Sequence, residues 1–113
     1  MPEYIAHLST ERTRRALECV ARLGKEDRDA VKALPVLVRT QGLIAALNLT
    51  TNSLAPELAD HLTNSPGPMK GSRTNRSEFI SAWIRLSPAD AAQVEEEAVR
   101  FAEDLKMLSK ALE

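Results

Sequence analysis

Apolar residues recur at helical spacing through the centre of the chain. Positions at i, i+3 and i+7 are apolar before Gly42, and the pattern resumes after it. This spacing predicts two short helical pieces that bend at the glycine. Few polar residues interrupt them, so we expect them to lie in the middle of the protein with other helices packed over them. The positions are Val31, Leu34, Val38, Leu43, Ile44 and Leu47.

The last quarter of the chain has the most regular pattern. Ser87-Pro88-Ala89-Asp90 is typical of a helix start, with a capping serine, a proline in the first position and an acidic residue in the third. Apolar residues then recur at intervals of three and four to the end of the chain, which predicts one long C-terminal helix. They are Val94, Ala98, Phe101, Leu105, Leu108 and Leu112.

Four further helices follow from local signals. The first spans 9–23 and stops at Gly24, and the second runs from Asp27 to about residue 41. Pro35 predicts a kink in the second helix, or else a new helix that begins with it. Short helices are predicted over 54–62, capped by Ser53, and over 77–84, capped by Ser77. The sequence therefore predicts an all-α bundle of five or six helices in a single domain, 1–113.

Residues 63–76 interrupt the helical pattern. They contain Pro-Gly and Gly-Ser turn signals, almost nothing apolar, three basic residues and no acidic one. We interpret them as a flexible basic loop on the surface. Because Lys70, Arg73 and Arg76 are spaced three apart, this loop could bind phosphates; the alternative is a solubilising linker.

Charge and cysteine content narrow the class of protein. The net charge is only −1, but residues 87–113 hold seven acidic and three basic groups while 63–86 are basic. An anionic partner would therefore be confined to one surface. A single cysteine, Cys19, excludes an internal disulfide and is typical of the cytoplasm. No apolar run approaches the length of a membrane span, so no membrane partner is expected.

The sequence contains no recognisable pattern of catalytic residues. Cys19 has no histidine near it in sequence, and His7 and His61 are isolated, which favours surface or boundary positions. Glu95, Glu96 and Glu97 point in different directions on a helix, so we interpret them as a solvated acidic face. No Cys/His spacing indicates zinc and no Gly-rich loop indicates a nucleotide. We expect no enzyme activity, no metal and no cofactor.

The central segment resembles a known signature. Residues 32–43, Lys-Ala-Leu-Pro-Val-Leu-Val-Arg-Thr-Gln-Gly-Leu, are similar to the motif of the small subunit of the type III-B (Cmr) CRISPR RNA-guided effector complex. Three shorter matches lie in the order expected for that family. Arg-Arg-Ala-Leu at 14–17 precedes the motif, and Ala-Trp-Ile at 82–84 and Glu-Ala-Val at 97–99 come after it. Gln41 stands where asparagine is usual, and Asn48 stands where the family tends to have an aromatic residue.

The resemblance implies a non-catalytic all-α subunit of an antiviral ribonucleoprotein. Its partners would be guide RNA and target RNA, other subunits of the complex and copies of itself in the filament. The cations expected to contact RNA are Arg39, Lys70, Arg73, Arg76, Arg12 and Arg15, although Glu11 lies four residues before Arg15 and could occupy it. The alternative is a helical protein–protein adaptor or self-associating module without nucleic acid. It would use an apolar stripe near the C-terminus: Phe101, Leu105, Leu108 and Leu112.

Overall fold

The computed structural model describes residues 3–72 and 75–112, and the side chains of residues 10–72, 75 and 77–112. Within these residues the chain is all-α, as predicted, with a long C-terminal helix and no strand. A single turn of 3-10 helix, Lys25–Asp27, separates the first two α-helices. The α-helices are α1 Glu3–Arg22, α2 Arg28–Gln41, α3 Leu43–Leu49, α4 Leu54–Asn64, α5 Arg76–Ile84 and α6 Pro88–Ala111.

Helix α6 is the element on which three of the other helices pack. It contacts α1, α2 and α4 along its length, and its apolar stripe fills the centre of the bundle: Val94, Ala98, Phe101 and Leu105 are buried. Its start is the predicted one, because Ser87 Oγ accepts a hydrogen bond from Asp90 N at 3.1 Å and Pro88 needs no donor in the first turn.

Helix α2 runs without interruption through Pro35. A new helix beginning at that proline, one of the two predicted possibilities, is therefore wrong; a kink at residues 34–35 stays a prediction. Proline within a helix costs about 3 kcal/mol through the lost hydrogen bond and ring clash. Burial of Val31, Leu34, Pro35 and Val38 against the rest of the bundle offsets part of that cost.

Gly42 forms the predicted bend between α2 and α3. Its φ of +87° lies in the region that side chains disfavour, and an added Cβ would lie 3.4 Å from Glu95 Oε2. That carboxylate accepts a hydrogen bond from Leu43 N at 2.8 Å. A glutamate of α6 thus satisfies a free N–H at the start of α3.

Two of the predicted caps lie at other residues. The side chain of Ser53 makes no capping bond; Thr51 Oγ1 accepts from Leu54 N at 3.1 Å instead. At α5 the cap is Asn75 rather than Ser77, since Asn75 Oδ1 accepts from the backbone of Ser77 and Glu78. Serine, threonine and asparagine are all favoured at helix starts, so the position at which each helix begins decides which of them acts.

The basic segment 63–76 is partly helical and partly turn. Helix α4 continues to Asn64 and α5 begins at Arg76. Between them, Lys70 N donates to Gly67 O at 3.0 Å and Gly71 N to Thr63 O at 2.9 Å. Met69 is buried in the core while Lys70 is exposed. Burial of one methionine therefore attaches the described part of this segment to the bundle.

No described helix combines the length and apolar character needed to cross a membrane.

Candidate functional site

A groove on the outer surface between α2 and the end of α6 brings several cations together. We call it the cationic groove. Three basic side chains and one carboxylate line it, with apolar side chains between them. Two of these apolar residues, Val36 and Met107, are 61% and 56% exposed. The lining residues are Pro35, Val36, Arg39, Glu103, Lys106, Met107 and Lys110.

Helical periodicity places these side chains on one surface. On α6, Glu103, Lys106, Met107 and Lys110 follow each other at intervals of three, one and three residues, so they share a face. Most of the buried residues of α6, among them Val94, Ala98, Phe101 and Leu105, lie on the other side of the helix. The antiparallel packing of α2 on α6 then puts Arg39 beside Glu103. Sequence reasoning selected Arg39 but missed Lys106 and Lys110, although their exposed register on the most regular helix could have indicated them.

The one ion pair of the groove lining is open to solvent. Arg39 Nη2 donates to Glu103 Oε1 at 2.9 Å, and the two side chains remain 56% and 54% exposed. Ion pairs at this exposure contribute only about 0–1 kcal/mol. Arg39 therefore remains accessible to a competing anion.

Two other predicted RNA-binding arginines are held by contacts with α6 and with the end of α4. Arg12 forms a two-pronged pair with Glu97, at 2.7 and 2.8 Å, and only 11% of its side chain is exposed. Arg15 donates to Ser65 Oγ at 3.1 Å and to the carbonyl of Asn64 at 3.0 Å. Glu97 thus neutralises the charge of Arg12 and Arg15 binds the end of α4; neither arginine lines the cationic groove.

The predicted loop cations are only partly within the described residues. Lys70 is exposed on the turn after α4 and is not part of the groove lining. Arg73 and the side chain of Arg76 lie outside the described residues. The loop prediction for these three residues stays a prediction.

The interior contains a polar cluster that the sequence did not indicate. His61 is buried, not at the surface, and its Nε2 lies 2.7 Å from Glu97 Oε2. Because an ionised carboxylate can only accept, Nε2 carries the hydrogen. The imidazole also stacks on Phe101, with ring centroids 4.0 Å apart and planes 8° from parallel. Histidine and glutamate lie 36 positions apart, so only the packing of α4 on α6 joins them.

Hydrogen bonds from its two neighbours favour the ionised form of Glu97 in this cluster. Burial by itself would raise the pKa of Glu97, but hydrogen bonds from His61 and Arg12 outweigh it and hold the pKa at about 2. The hydrogen bond with Glu97 also raises the pKa of Arg12. Interpreting Glu95–Glu97 as a solvated acidic face is therefore wrong for Glu97, and also for Glu95, which caps α3. Only Glu96 is exposed, where it pairs with Arg100.

Ser65 completes a set of residue types that occurs in hydrolases, but the geometry differs. In a Ser-His-acid triad the serine and the acid bind different ring nitrogens. Here Ser65 Oγ is 3.3 Å from Nδ1 and 3.2 Å from Nε2 of His61, so it lies on the lone-pair axis of neither. The hydroxyl donates to the carbonyl of His61 at 2.7 Å. This arrangement does not activate Ser65 as a nucleophile.

The remaining candidates for reactive chemistry are similarly constrained. Burial, followed by a hydrogen bond with Glu57, raises the pKa of the Cys19 thiol far above neutrality, which disfavours the reactive thiolate. Among the described residues, no group of three histidine, cysteine or acidic side chains could hold a metal ion.

The C-terminal apolar stripe predicted as a protein interface lies largely inside the bundle. Phe101 and Leu105 are buried in the core of this chain, and Leu108 packs against that core. Leu112 alone of the four is exposed, at 60%. The first two side chains therefore cannot contact a partner in this fold, because their surface is already covered by α1, α2 and α4.

A second recess lies between α3, α4 and α5. Its lining is apolar apart from two asparagines, and none of it is charged. It offers no counter-charge to a phosphate chain. The residues are Ile44, Leu47, Asn48, Asn52, Ala55, Pro56, Ala59, Phe79 and Ile80.

Comparison with protein families, characterised proteins and solved structures finds none that matches this chain.

Proposed function

We propose that this chain is a non-catalytic RNA-binding subunit of an RNA-guided effector complex of the type III-B (Cmr) CRISPR kind. It contacts the backbone of guide and target RNA through the cationic groove. The observation that carries the proposal is the grouping of Arg39, Lys106 and Lys110 around one groove with a single carboxylate. The resemblance of residues 32–43 supports the particular kind of complex.

The segment with the resemblance is also the segment that positions the groove. Residues 32–43 form most of α2 and the turn into α3. Leu34 and Val38 anchor the helix in the core, and Gly42 with Glu95 fixes the turn. Arg39 is thereby held on the exposed side, facing the end of α6. The motif thus supplies one wall of the proposed binding surface.

The spacing of the cations suits a phosphate chain. Lys106 and Lys110 are four residues apart on one helix, which separates them by about 6 Å along its axis. This is comparable to the step between successive phosphates of a nucleic acid. Lysine acts as a point charge, whereas the planar guanidinium of Arg39 can bind two phosphate oxygens at once. The groove therefore offers three contacts to a backbone.

The groove offers little that would read a base. No aromatic side chain lines it, so bases have no stacking platform there. Contacts to phosphate position a nucleic acid without selecting its sequence. We therefore expect binding that is sensitive to salt and tolerant of sequence, as suits a subunit that accompanies many different guides.

Two of the four residues on which the alternative function, a protein–protein adaptor, depended are not on the surface. It depended on the C-terminal stripe, and Phe101 and Leu105 are buried within the chain itself. No specific observation now favours it as a second function. Contacts with other subunits and with copies of this chain remain part of the proposal.

The proposal can be tested by reversing charges at two separate places. Lys106→Glu with Lys110→Glu changes the groove, and Lys25→Glu with Arg85→Glu makes the same change in net charge elsewhere on the exposed surface. Binding of single-stranded RNA is measured by fluorescence anisotropy at several salt concentrations. We expect the groove pair to lower the affinity for RNA about tenfold or more. The slope of log affinity against log salt concentration should become less steep by about 1.4, or 0.7 for each lost contact.

The second pair should change the affinity much less, because neither of its residues lines the groove. Equal losses in the two pairs would show that only total charge matters, and would remove the groove from the site. Absence of RNA binding by the unmodified protein at low salt, both alone and in an assembled complex, would overturn the proposed function.

A further inference from the structure

Glu103 occupies an unusual position for a surface acid. It is the one carboxylate in the lining of the cationic groove, and it binds Arg39 at 2.9 Å. Lys106, three residues later on the same helix, lies in the same lining. A negative charge at this point opposes the approach of a phosphate to the cations that would bind it.

We propose that Glu103 is an internal competitor for the RNA backbone: it holds Arg39 while the groove is empty and is displaced by a phosphate when RNA binds. This inference rests on the proposed function and assigns to the same site a means of setting its affinity. The exchange breaks one hydrogen-bonded ion pair and forms another on the same guanidinium. Arg39 is thereby kept oriented toward the groove in both states.

The exposure of the pair makes this exchange energetically feasible. Both side chains are more than half exposed, so solvent already weakens their attraction. A nucleic acid brings several phosphates into the groove at once, and their binding releases condensed counterions. Arg12 shows the opposite case, because its two-pronged pair with Glu97 is only 11% and 14% exposed and is screened by solvent far less.

Removal of the carboxylate should therefore strengthen RNA binding. Glu103→Gln keeps the size of the side chain and frees Arg39. We expect single-stranded polyuridine to bind about three- to tenfold more tightly at low salt. The slope of log affinity against log salt concentration should change little, because Arg39 contacts a phosphate in the RNA-bound state of both proteins.

The chain offers a matched control. Glu96 pairs with Arg100 on the same helix, with exposures of 52% and 58%, but neither residue lines the cationic groove. Glu96→Gln removes the same charge seven positions earlier and should leave affinity within about twofold. Arg39→Gln provides the second control: in that background, Glu103→Gln should lose most of its effect, which a double-mutant cycle measures.

The outcomes separate the inference from the function on which it rests. Equal tightening by Glu103→Gln and Glu96→Gln, or an unchanged effect in the Arg39→Gln background, overturns the competitor role while leaving RNA binding intact. Weaker binding by Glu103→Gln also overturns it, since Glu103 would then be needed to position Arg39. Failure of the unmodified protein to bind polyuridine overturns the proposed function and the inference together.

Discussion

Arg12 and Arg39 are both paired with a glutamate of α6, yet the two regions differ in nearly every physical respect. The Arg12–Glu97 pair is 11% and 14% exposed, has two short hydrogen bonds and is joined by His61. The Arg39–Glu103 pair has one hydrogen bond and is more than half exposed. Burial converts the first into a structural element of the bundle. The second stays available for exchange, so exposure and not residue type decides which arginine could bind RNA.

The largest expected effect lies in the buried region. Glu97→Gln leaves Arg12 without its counter-charge in the interior, and breaking a buried pair on one side costs about 3–5 kcal/mol. We expect the free energy of unfolding to fall by this amount in urea titrations followed by circular dichroism. Glu103→Gln is the matched control and should cost less than about 1 kcal/mol. Similar losses in the two variants would contradict the distinction between the regions.

The pH dependence of stability should show the same distinction. The folded-state pKa of Glu97 is lowered from 4.5 to about 2, so its stabilisation is fully present above pH 4.5 and is lost as the pH falls through the folded value. We expect this one group to contribute a loss of about 3 kcal/mol between pH 4.5 and 2. The difference between the unmodified protein and Glu97→Gln, measured by urea unfolding across this range, isolates that contribution. A difference that stays constant with pH would contradict the lowered pKa.

The smallest expected effect on stability is that of the groove arginine itself. Arg39→Gln removes an exposed pair and some contact of its methylene groups with neighbouring side chains, so the free energy of unfolding should change by less than about 1 kcal/mol. Its RNA affinity should fall nonetheless. Thermal unfolding and RNA binding are to be measured on the same preparation. A stability loss above about 2 kcal/mol would mean that Arg39 is structural, as Arg12 is.

The fold was largely predictable because its signals are local. The spacing of apolar residues located α6 and its buried face, and the Ser-Pro-Ala-Asp run gave its first residue. The bend at Gly42 was predicted from the glycine alone. The predictions of the helix caps failed where two neighbouring residues could both act as the cap. At α5, for example, the cap is Asn75 and not Ser77. Residues with similar propensities cannot be ranked without knowing where the helix begins.

The candidate site was predicted only in part. Arg39 was selected from the sequence, whereas Lys106 and Lys110 were missed; Arg12 and Arg15 were also selected, but they do not line the groove. Their assignment depends on which acids lie opposite them. Glu97 is 85 positions from Arg12 and Glu103 is 64 positions from Arg39. No spacing rule along the chain can give those partners.

The sequence by itself determined that this chain is helical, where its helices lie and which face of each is apolar, because a helix is stabilised by residues three and four positions apart. Only the tertiary structure decided which charged side chains are removed from water and which acid each arginine pairs with. Packing of α1, α2 and α4 on α6 shields Arg12, His61 and Glu97 from most of the solvent. Arg39 remains more than half exposed to water. The strength of an ion pair depends on that water more than on the identity of its members.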